Sequence, residues 1–472
     1  MSEENAPGDL EFSIDQLRQH YDTAAAWLLE HLATLESQPT WSHDPDPARG
    51  FDLPFPSNGR ALPELLEWLR VAALPPGRNA AHPSYLAYVP GGGLPEAALA
   101  DWIAATLNRF TGLRAAAPGL VALENITIGW LCQSIGYPRH ATGALLSGGS
   151  LANWSAVIAA RERYWPGSVE RFSTGRAYLS DQAHDSIAKA VRLAGFPETA
   201  LRTIRSRPDS RFDLDALEHA IRADRAAGHQ PFLLVGTAGN VNTGAIDPLL
   251  ALAELAQRHQ LWFHVDAAYG GSFGLTERGR ARLAGIERAD SVTLDPHKGM
   301  FLPFGTGAIL VRDPDSLRRA QAIDADYLPG VAHDGLLDPC QLTPELSRPF
   351  RALRLWLPVQ LHGVDAWRRA LDEKLDLAHE SFQLLTALDG IDCVTPPELS
   401  LFAFRDRRGD DFYAAWLEHL NRQGRLHLSS TRWRSALHLR WIVLNFRTHH
   451  RHVEQALAEL IDARQFCQTA NP

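Results

Sequence analysis

Residues Ser291 to Lys298 read S-V-T-L-D-P-H-K, a short alternating strand, an Asp-Pro turn and then a lysine. Val292 and Leu294 alternate with Ser291 and Thr293, and Asp295-Pro296 turns the chain out of the strand. Lys298 therefore follows His297 in a loop at a strand's edge, which is where an α/β sheet holds its ligands. An amine in that position, made nucleophilic by desolvation or nearby positive charge, can condense with an aldehyde to form a Schiff base. A surface lysine after a turn fits the same residues, so the rest of the chain has to decide between the two.

The chain has 472 residues, enough for two or three domains, and 45% of them are hydrophobic, as in an ordinary globular protein. A formal charge of -9, from 46 basic and 55 acidic side chains, argues against a nucleic-acid partner or an anionic membrane surface. Small-molecule chemistry is the reading that remains. The start, M-S-E-E-N-A-P-G-D-L, has no basic region leading into an apolar core, and no apolar run reaches membrane-spanning length, so a cytoplasmic protein is expected. Cys132, Cys340, Cys393 and Cys467 lie far apart with no C-x-x-C spacing, which predicts reduced structural thiols.

The first eighty or so residues combine helical patterns at Ile14 to Leu35 and Leu62 to Leu74 with a Pro-rich link from Pro45 to Pro56. Such an arm buries little alone and must dock on the main body or on a second subunit. His82 to Gly93, H-P-S-Y-L-A-Y-V-P-G-G-G, reads as a Tyr-rich strand-like piece running into three glycines, either a pocket wall or a flexible turn. In A-L-L-S-G-G-S-L-A-N-W-S-A-V-I, Leu151, Trp154, Val157 and Ile158 recur at helical spacing. Gly148, Gly149 and Ser150 then open a helix, where free backbone N–H groups and the helix dipole suit a phosphate; a Gly-rich turn capped by serine is the plainer alternative.

After a strand ending at Leu179, S-D-Q-A-H-D-S-I-A-K-A predicts a helix capped by Ser180 or Asp181, with His184 in its first turn. That histidine is either a surface group or a ring stacked on a cofactor. Phe232 to Val235 and Leu261 to Val265 read as buried strands, and Asp247-Pro248 as a helix start. The alternation of strands and helices predicts a largely parallel α/β sheet with ligands at its strand ends. Asp266 follows one such strand directly. It is either a helix cap or the partner of a protonated pyridine nitrogen, which would make a pyridoxal ring an electron sink.

Beyond Lys298, Thr306 to Val311 returns to the sheet, and Ala322 to Thr343 is irregular, as lids and binding loops are. Ser347 to Trp356 reads as a basic amphipathic helix, and strands near 399–404, 426–430 and 438–444 predict a small α+β domain. The expected organisation is an arm over residues 1–85, a large domain over 86–345 and a small domain over 346–472. His449 to His452, H-H-R-H, lacks a carboxylate or cysteine that would complete a metal-ligand pattern and reads as solvated surface.

Ser147 to Asn153, Asp181 to Ala190, Asn242 to Asp247, His264 to Gly271, Asp295 to Lys298 and Glu345 to Trp356 together resemble the pyridoxal-phosphate-dependent group II decarboxylases. The aromatic-L-amino-acid decarboxylases are the best-known members, and the likeness runs in order from about His82 to the N-F-R-T that ends at Thr448. The resemblance implies a fold-type I, transferase-like architecture with pyridoxal 5'-phosphate as cofactor. It makes Lys298 the Schiff-base lysine, Asp266 the partner of the pyridine nitrogen, and His184 the ring-stacking group that also faces the substrate carboxylate. Ala268 would lie under the ring, while Gly148, Gly149, Ser150, Asp295 and His297 match positions around the phosphate. It also implies a homodimer whose arm wraps the partner and whose active sites lie between subunits. Leu151, where many members carry Glu, and Val241, in place of a hydroxyl residue, depart from the pattern.

The reaction so implied is loss of CO2 from an L-amino acid to give the amine, with Tyr327, on a mobile loop from the neighbouring subunit, supplying the proton at Cα. An aldehyde synthase on the same scaffold is marked by loss of that tyrosine, so Tyr327 disfavours it. D-Q-A-H and S-R-P-F-R-A-L favour a decarboxylase over a carbon-carbon lyase, and intact Lys298, Asp266 and His184 argue against a non-catalytic binding protein. Tyr85, Tyr88 and the glycine turn suit a flat aromatic substrate, and no arginine is clearly assigned to a second carboxylate.

Overall fold

The computed structural model describes residues 10–42, 55–75, 77–322 and 338–470. Its centre is a seven-stranded sheet built from β1 (Thr142–Leu146), β2 (Gly175–Ser180), β3 (Leu201–Ile204), β4 (Gln230–Thr237), β5 (Trp262–Asp266), β6 (Ser291–Leu294) and β7 (Gly307–Val311). The strand order is β1-β7-β6-β5-β4-β2-β3. Strands β3, β2, β4, β5 and β6 pair in parallel, and β7 runs antiparallel between β6 and β1.

The near-continuous apolar strands are explained by burial on both faces. Along β4, Leu233 and Val235 join one hydrophobic cluster and Leu234 the other, as the two-residue period of a strand requires. The helix Gly149–Tyr164 covers the first face with Ala152, Ala156, Val157 and Ala160, all buried. Small side chains on that face let the helix lie close to the sheet. The second cluster runs from β4, β5 and β6 through Phe350, Ala352, Leu355, Trp367 and Leu371. A second, antiparallel sheet follows, with β8 (Ile391–Cys393), β9 (Leu401–Asp406), β10 (Ser429–Trp433) and β11 (Ala436–Ile442) in the order β8-β9-β11-β10.

Several local expectations change in the folded chain. The helix after β2 is Asp185–Leu193, and its N-cap is His184, whose Nδ1 accepts from the Ser186 backbone N–H, rather than Ser180 or Asp181. Asp247 caps no helix; its carboxylate accepts from the N–H groups of Phe212 and Thr237 and ties two loops together. The helix expected from Ser347 starts at Ala352. Arg348 ahead of it is buried against Glu124 at 2.7 Å, so that part of the basic pattern is an internal ion pair instead of a solvated face. His449 and His450 are exposed and pair with Glu373 and Glu380, whereas His452 is buried. All four cysteines are free.

His82 to Gly93 forms no strand. It makes one isolated bridge, Tyr85 to His427, and Tyr88, Gly92 and Gly93 have positive φ. The glycines are there for close approach. A Cβ on Gly91 would lie 2.3 Å from the Lys298 carbonyl oxygen and 2.7 Å from Cα of Phe301. Gly91→Ala must therefore push the Lys298 turn out of register, and overpacking of this kind costs about 1–3 kcal/mol. The expected result is a lower melting temperature together with weaker cofactor retention. Normal retention at normal stability would show that the turn tolerates the methyl group.

Candidate active site

The parallel strands and β1 all end at one rim of the sheet, and the loops leaving β1, β2, β4, β5 and β6 enclose a cavity of about 350 Å³. Gly148, Gly149, Ser150, His184, Asp266, Ala268, Asp295, His297 and Lys298 all line it. Nine sequence-selected positions, spread over 151 residues from 148 to 298, thus meet at one site. Tyr327 lies outside the described residues.

The chain contains three lysines, Lys189, Lys298 and Lys374. Lys189 is exposed on the helix Asp185–Leu193, and Lys374 is fully buried, bonded to Glu373 at 2.7 Å and to the Thr448 carbonyl. Lys298 alone of the three lines the cavity. The Asp-Pro turn winds into a short helical turn, Pro296–Gly299, which brings Lys298 Nζ to 3.0 Å from Asp295 Oδ2. His297 donates Nδ1–H to the Thr306 carbonyl at 2.7 Å, leaving Nε2 3.7 Å from Asp295 Oδ2. Burial lowers the His297 pKa, with the Asp295 charge opposing it.

Asp266, at the end of β5, is buried and accepts from Asn153 Nδ2 at 2.9 Å and from the Ala268 N–H at 3.1 Å. His184 is held from behind by Ser186, whose Oγ lies 2.7 Å from its Nδ1. Because Nδ1 also receives the Ser186 N–H, a neutral His184 ring carries its proton on Nε2.

The residues fit pyridoxal phosphate. Thr237 Oγ1 lines the cavity and is buried without a partner, a hydroxyl free to bond a polar ligand there. A Cβ on Gly149 would lie 2.9 Å from Asp295 Oδ2 and 3.3 Å from Cβ of Ala268, so only glycine keeps the floor open between the helix start and the β5 and β6 loops. The donor set matches the cofactor as well: an amine for the aldehyde, a carboxylate for the ring nitrogen, and a helix N-terminus for the phosphate.

The pyridoxal-dependent decarboxylase conserved domain matches residues 46–407. This chain belongs to the pyridoxal-dependent decarboxylases. Aromatic-L-amino-acid decarboxylase of Bacillus atrophaeus is 34% identical over 401 residues, which cover 84% of this chain and 83% of that one. Phenylacetaldehyde synthase of Arabidopsis thaliana is 27% identical over 483 residues, covering 96% and 97%. Oryza sativa TDC, solved with PLP and tryptamine, superposes with a TM-score of 0.92 at 25% identity, covering 98% of this decarboxylase and 99% of that chain. Catharanthus roseus tryptophan decarboxylase in complex with L-tryptophan gives 0.91 at 25% identity, covering 98% and 100%. The fold-type I architecture, the PLP cofactor and the carboxy-lyase class expected from the sequence are those of this family.

Sequence reasoning assigned no role to Asn153, Ser186 or His264. Asn153 carried a signal all the same: it is an amide on the buried side of a helix otherwise faced by alanine and valine, and a buried amide needs partners.

Proposed function

We propose that this decarboxylase converts an aromatic L-amino acid to its amine and CO2, and that the rim cavity is where it does so. The observation carrying this reading is the convergence of Lys298, Asp266 and His184 on one cavity. When bound, pyridoxal phosphate supplies an aldehyde for an amino group and a ring that takes up the electron pair left by departing CO2. Lys298 would hold the cofactor covalently through Nζ and yield that bond to the substrate amine. Asp266 would accept a charge-assisted hydrogen bond from the ring N–H and keep that nitrogen protonated. His184 would lie along the ring face with Nε2–H directed at the substrate carboxylate. Gly148, Gly149 and Ser150 would receive the phosphate at the helix N-terminus, beside Asp295 and His297. Ala268 would face the ring from below, where a larger side chain would fill the space.

The aromatic preference rests on two supports. Relatives named for aromatic substrates include the Bacillus atrophaeus protein and L-tyrosine/L-DOPA decarboxylase 2 of Lophophora williamsii. Among the described residues that line the cavity there is no arginine to meet a second carboxylate. CO2 release from a panel of L-amino acids tests the assignment: L-tyrosine, L-tryptophan and L-DOPA should be turned over well ahead of L-glutamate and L-aspartate. The reverse order would overturn it.

Tyr327 is proposed as the group that returns a proton to Cα. Tyr327→Phe should keep CO2 release and lower the amine formed per CO2, with aldehyde, ammonia and peroxide making up the difference as dissolved oxygen takes the electrons. An unchanged amine yield would assign the proton to another group. It would also revive the aldehyde-synthase reading, which the phenylacetaldehyde synthase among the relatives keeps in view.

A homodimer in the cytoplasm completes the proposal. The helix Ile14–Ala33 buries none of its residues, and Leu28 and Leu29 are exposed on it. Leu99, Trp102, Ile103 and Leu107 are exposed on the helix Pro95–Leu107. Apolar faces of that extent suit a second copy of the chain. Among the described residues, no helix is long and apolar enough to cross a membrane. Removing residues 1–80 should abolish both dimer and activity, read by sedimentation and CO2 release; an active monomer would refute the shared site.

A further inference from the structure

Behind Asp266 lies a chain of buried polar groups with a single direction. Trp262 Nε1 donates to Ser291 Oγ at 2.8 Å, and an indole N–H can only donate. Ser291 Oγ lies 2.8 Å from His264 Nδ1 and can give or take that proton, so the direction is set from the other end. The Asp266 carboxylate accepts from Asn153 Nδ2, Asn153 Oδ1 therefore faces His264 Nε2, and His264 must donate there and accept from Ser291. His264 is left with its proton on Nε2, which lies 3.0 Å from Asn153 Oδ1. Thr293 Oγ1 donates to the same amide oxygen at 2.7 Å. With two donors on its oxygen, the Asn153 amide must turn its nitrogen the other way, to Asp266 Oδ2 at 2.9 Å and Ser186 Oγ at 2.9 Å. Ser186 Oγ, receiving that bond, has its proton free for His184 Nδ1 at 2.7 Å.

All of these groups except His184 are buried, so an unmet donor or acceptor here costs heavily and the network has little freedom to reverse. A reversed Asn153 would set its oxygen against the Asp266 carboxylate. Burial pushes the His264 pKa down to about 4, with the Asp266 charge opposing it, so the ring stays neutral and can act as donor on one side and acceptor on the other.

We propose that Asn153 is a positioning residue that divides one hydrogen-bond relay, running from Trp262 through Ser291 and His264, between the two side chains facing the cofactor ring. One branch holds Asp266 as an acceptor in the orientation that meets the ring nitrogen. The other supports His184 in the tautomer that presents Nε2–H to the cavity. The inference rests on the pyridoxal phosphate site proposed above, yet its first readout concerns only the protein's own histidines.

Nitrogen-15 NMR of the wild-type holoenzyme, with histidine labelled, should show His264 and His184 both protonated on Nε2 and bare on Nδ1. A His264 protonated on Nδ1 reverses the relay and overturns the proposal, whatever becomes of the cofactor assignment. Asn153→Leu keeps the number and branching of the side-chain heavy atoms and removes the branch point. In the PLP-loaded protein it should lower kcat about 10- to 100-fold with KM changed less than about threefold, and shift the visible absorption of the bound cofactor. Ser186→Ala removes the hydroxyl that links Asn153 to His184 but keeps the residue 186 N–H on His184 Nδ1 and the Asn153–Asp266 bond, so it should leave that absorption in place while kcat falls less. Wild-type kcat and absorption in Asn153→Leu, or a loss of melting temperature with both unchanged, would reduce Asn153 to packing. Failure of the cofactor assignment itself reads differently, as a wild-type protein that acquires no visible band with pyridoxal phosphate.

Discussion

Lys298→Ala is expected to lose turnover by roughly 10⁴-fold or more, because covalent catalysis of this kind has no second amine to fall back on. Lys189 is exposed on a helix and Lys374 is buried against Glu373, so neither lines the cavity that Lys298 leaves. The substitution also strips Asp295 Oδ2 of its 3.0 Å ion pair, and Asp295 is buried with its other oxygen already unpartnered. The cofactor-free variant should therefore melt below the wild type, as a buried carboxylate loses its counter-charge. Pyridoxal phosphate should still bind through the helix N-terminus and Asp266, but reversibly, and dialysis should remove it. Turnover within tenfold of wild type would move the covalent role to another residue.

Asp266→Ala should act on a different quantity. The carboxylate is one step from the electron sink, so its loss should lower kcat by roughly 10³-fold, the scale seen when a preorganised electrostatic partner is removed. Cofactor binding should suffer far less, since Lys298 and the Gly148 to Ser150 turn are untouched. Asn153 Nδ2 loses one of its two acceptors and the Ala268 N–H its side-chain acceptor, which should appear as lower stability. The comparison to make is kcat against cofactor affinity in the same preparation. Near-normal turnover would mean that ring-nitrogen protonation does not depend on Asp266.

Much of this was legible in the sequence because the strands are buried on both faces. Phe232–Val235 reads as a continuous apolar run and Ser291–Leu294 as an alternating one, each strand ends in a short loop, and the acidic residue at the end stands out: Asp266 after Trp262–Val265, and Asp295 after Ser291–Leu294. The glycine turn at Gly91 was ambiguous for a reason of distance. Its constraint is the backbone of Lys298 and Phe301, some two hundred residues on, and no local pattern reports such a contact. Helix caps were misread for a related reason. Ser180 and Asp181 are good cap residues, yet Ser180 Oγ serves the Gln182 N–H and Asp181 Oδ1 the Ser206 N–H, and His184 does the capping instead.

Arg348 and Arg351 show how composition misleads when charge is internal. Read along the sequence they form a basic helix face; in the fold both are buried, and they join Glu124, Glu345 and the Leu145 carbonyl beneath β1. Asn153, an amide on the apolar side of its helix, signals a need for partners, but the local sequence does not say which. Its meaning comes from β5 and β6, which bring His264, Asp266 and Thr293 to the same amide.

Borohydride reduction of the holoenzyme, followed by proteolysis and mass mapping, decides which of the three lysines carries the cofactor. One pyridoxyl group per chain is expected, on Lys298, with the visible band lost in step with its appearance. A pyridoxyl group on Lys189 or Lys374, or none on a protein that still releases CO2, would contradict it.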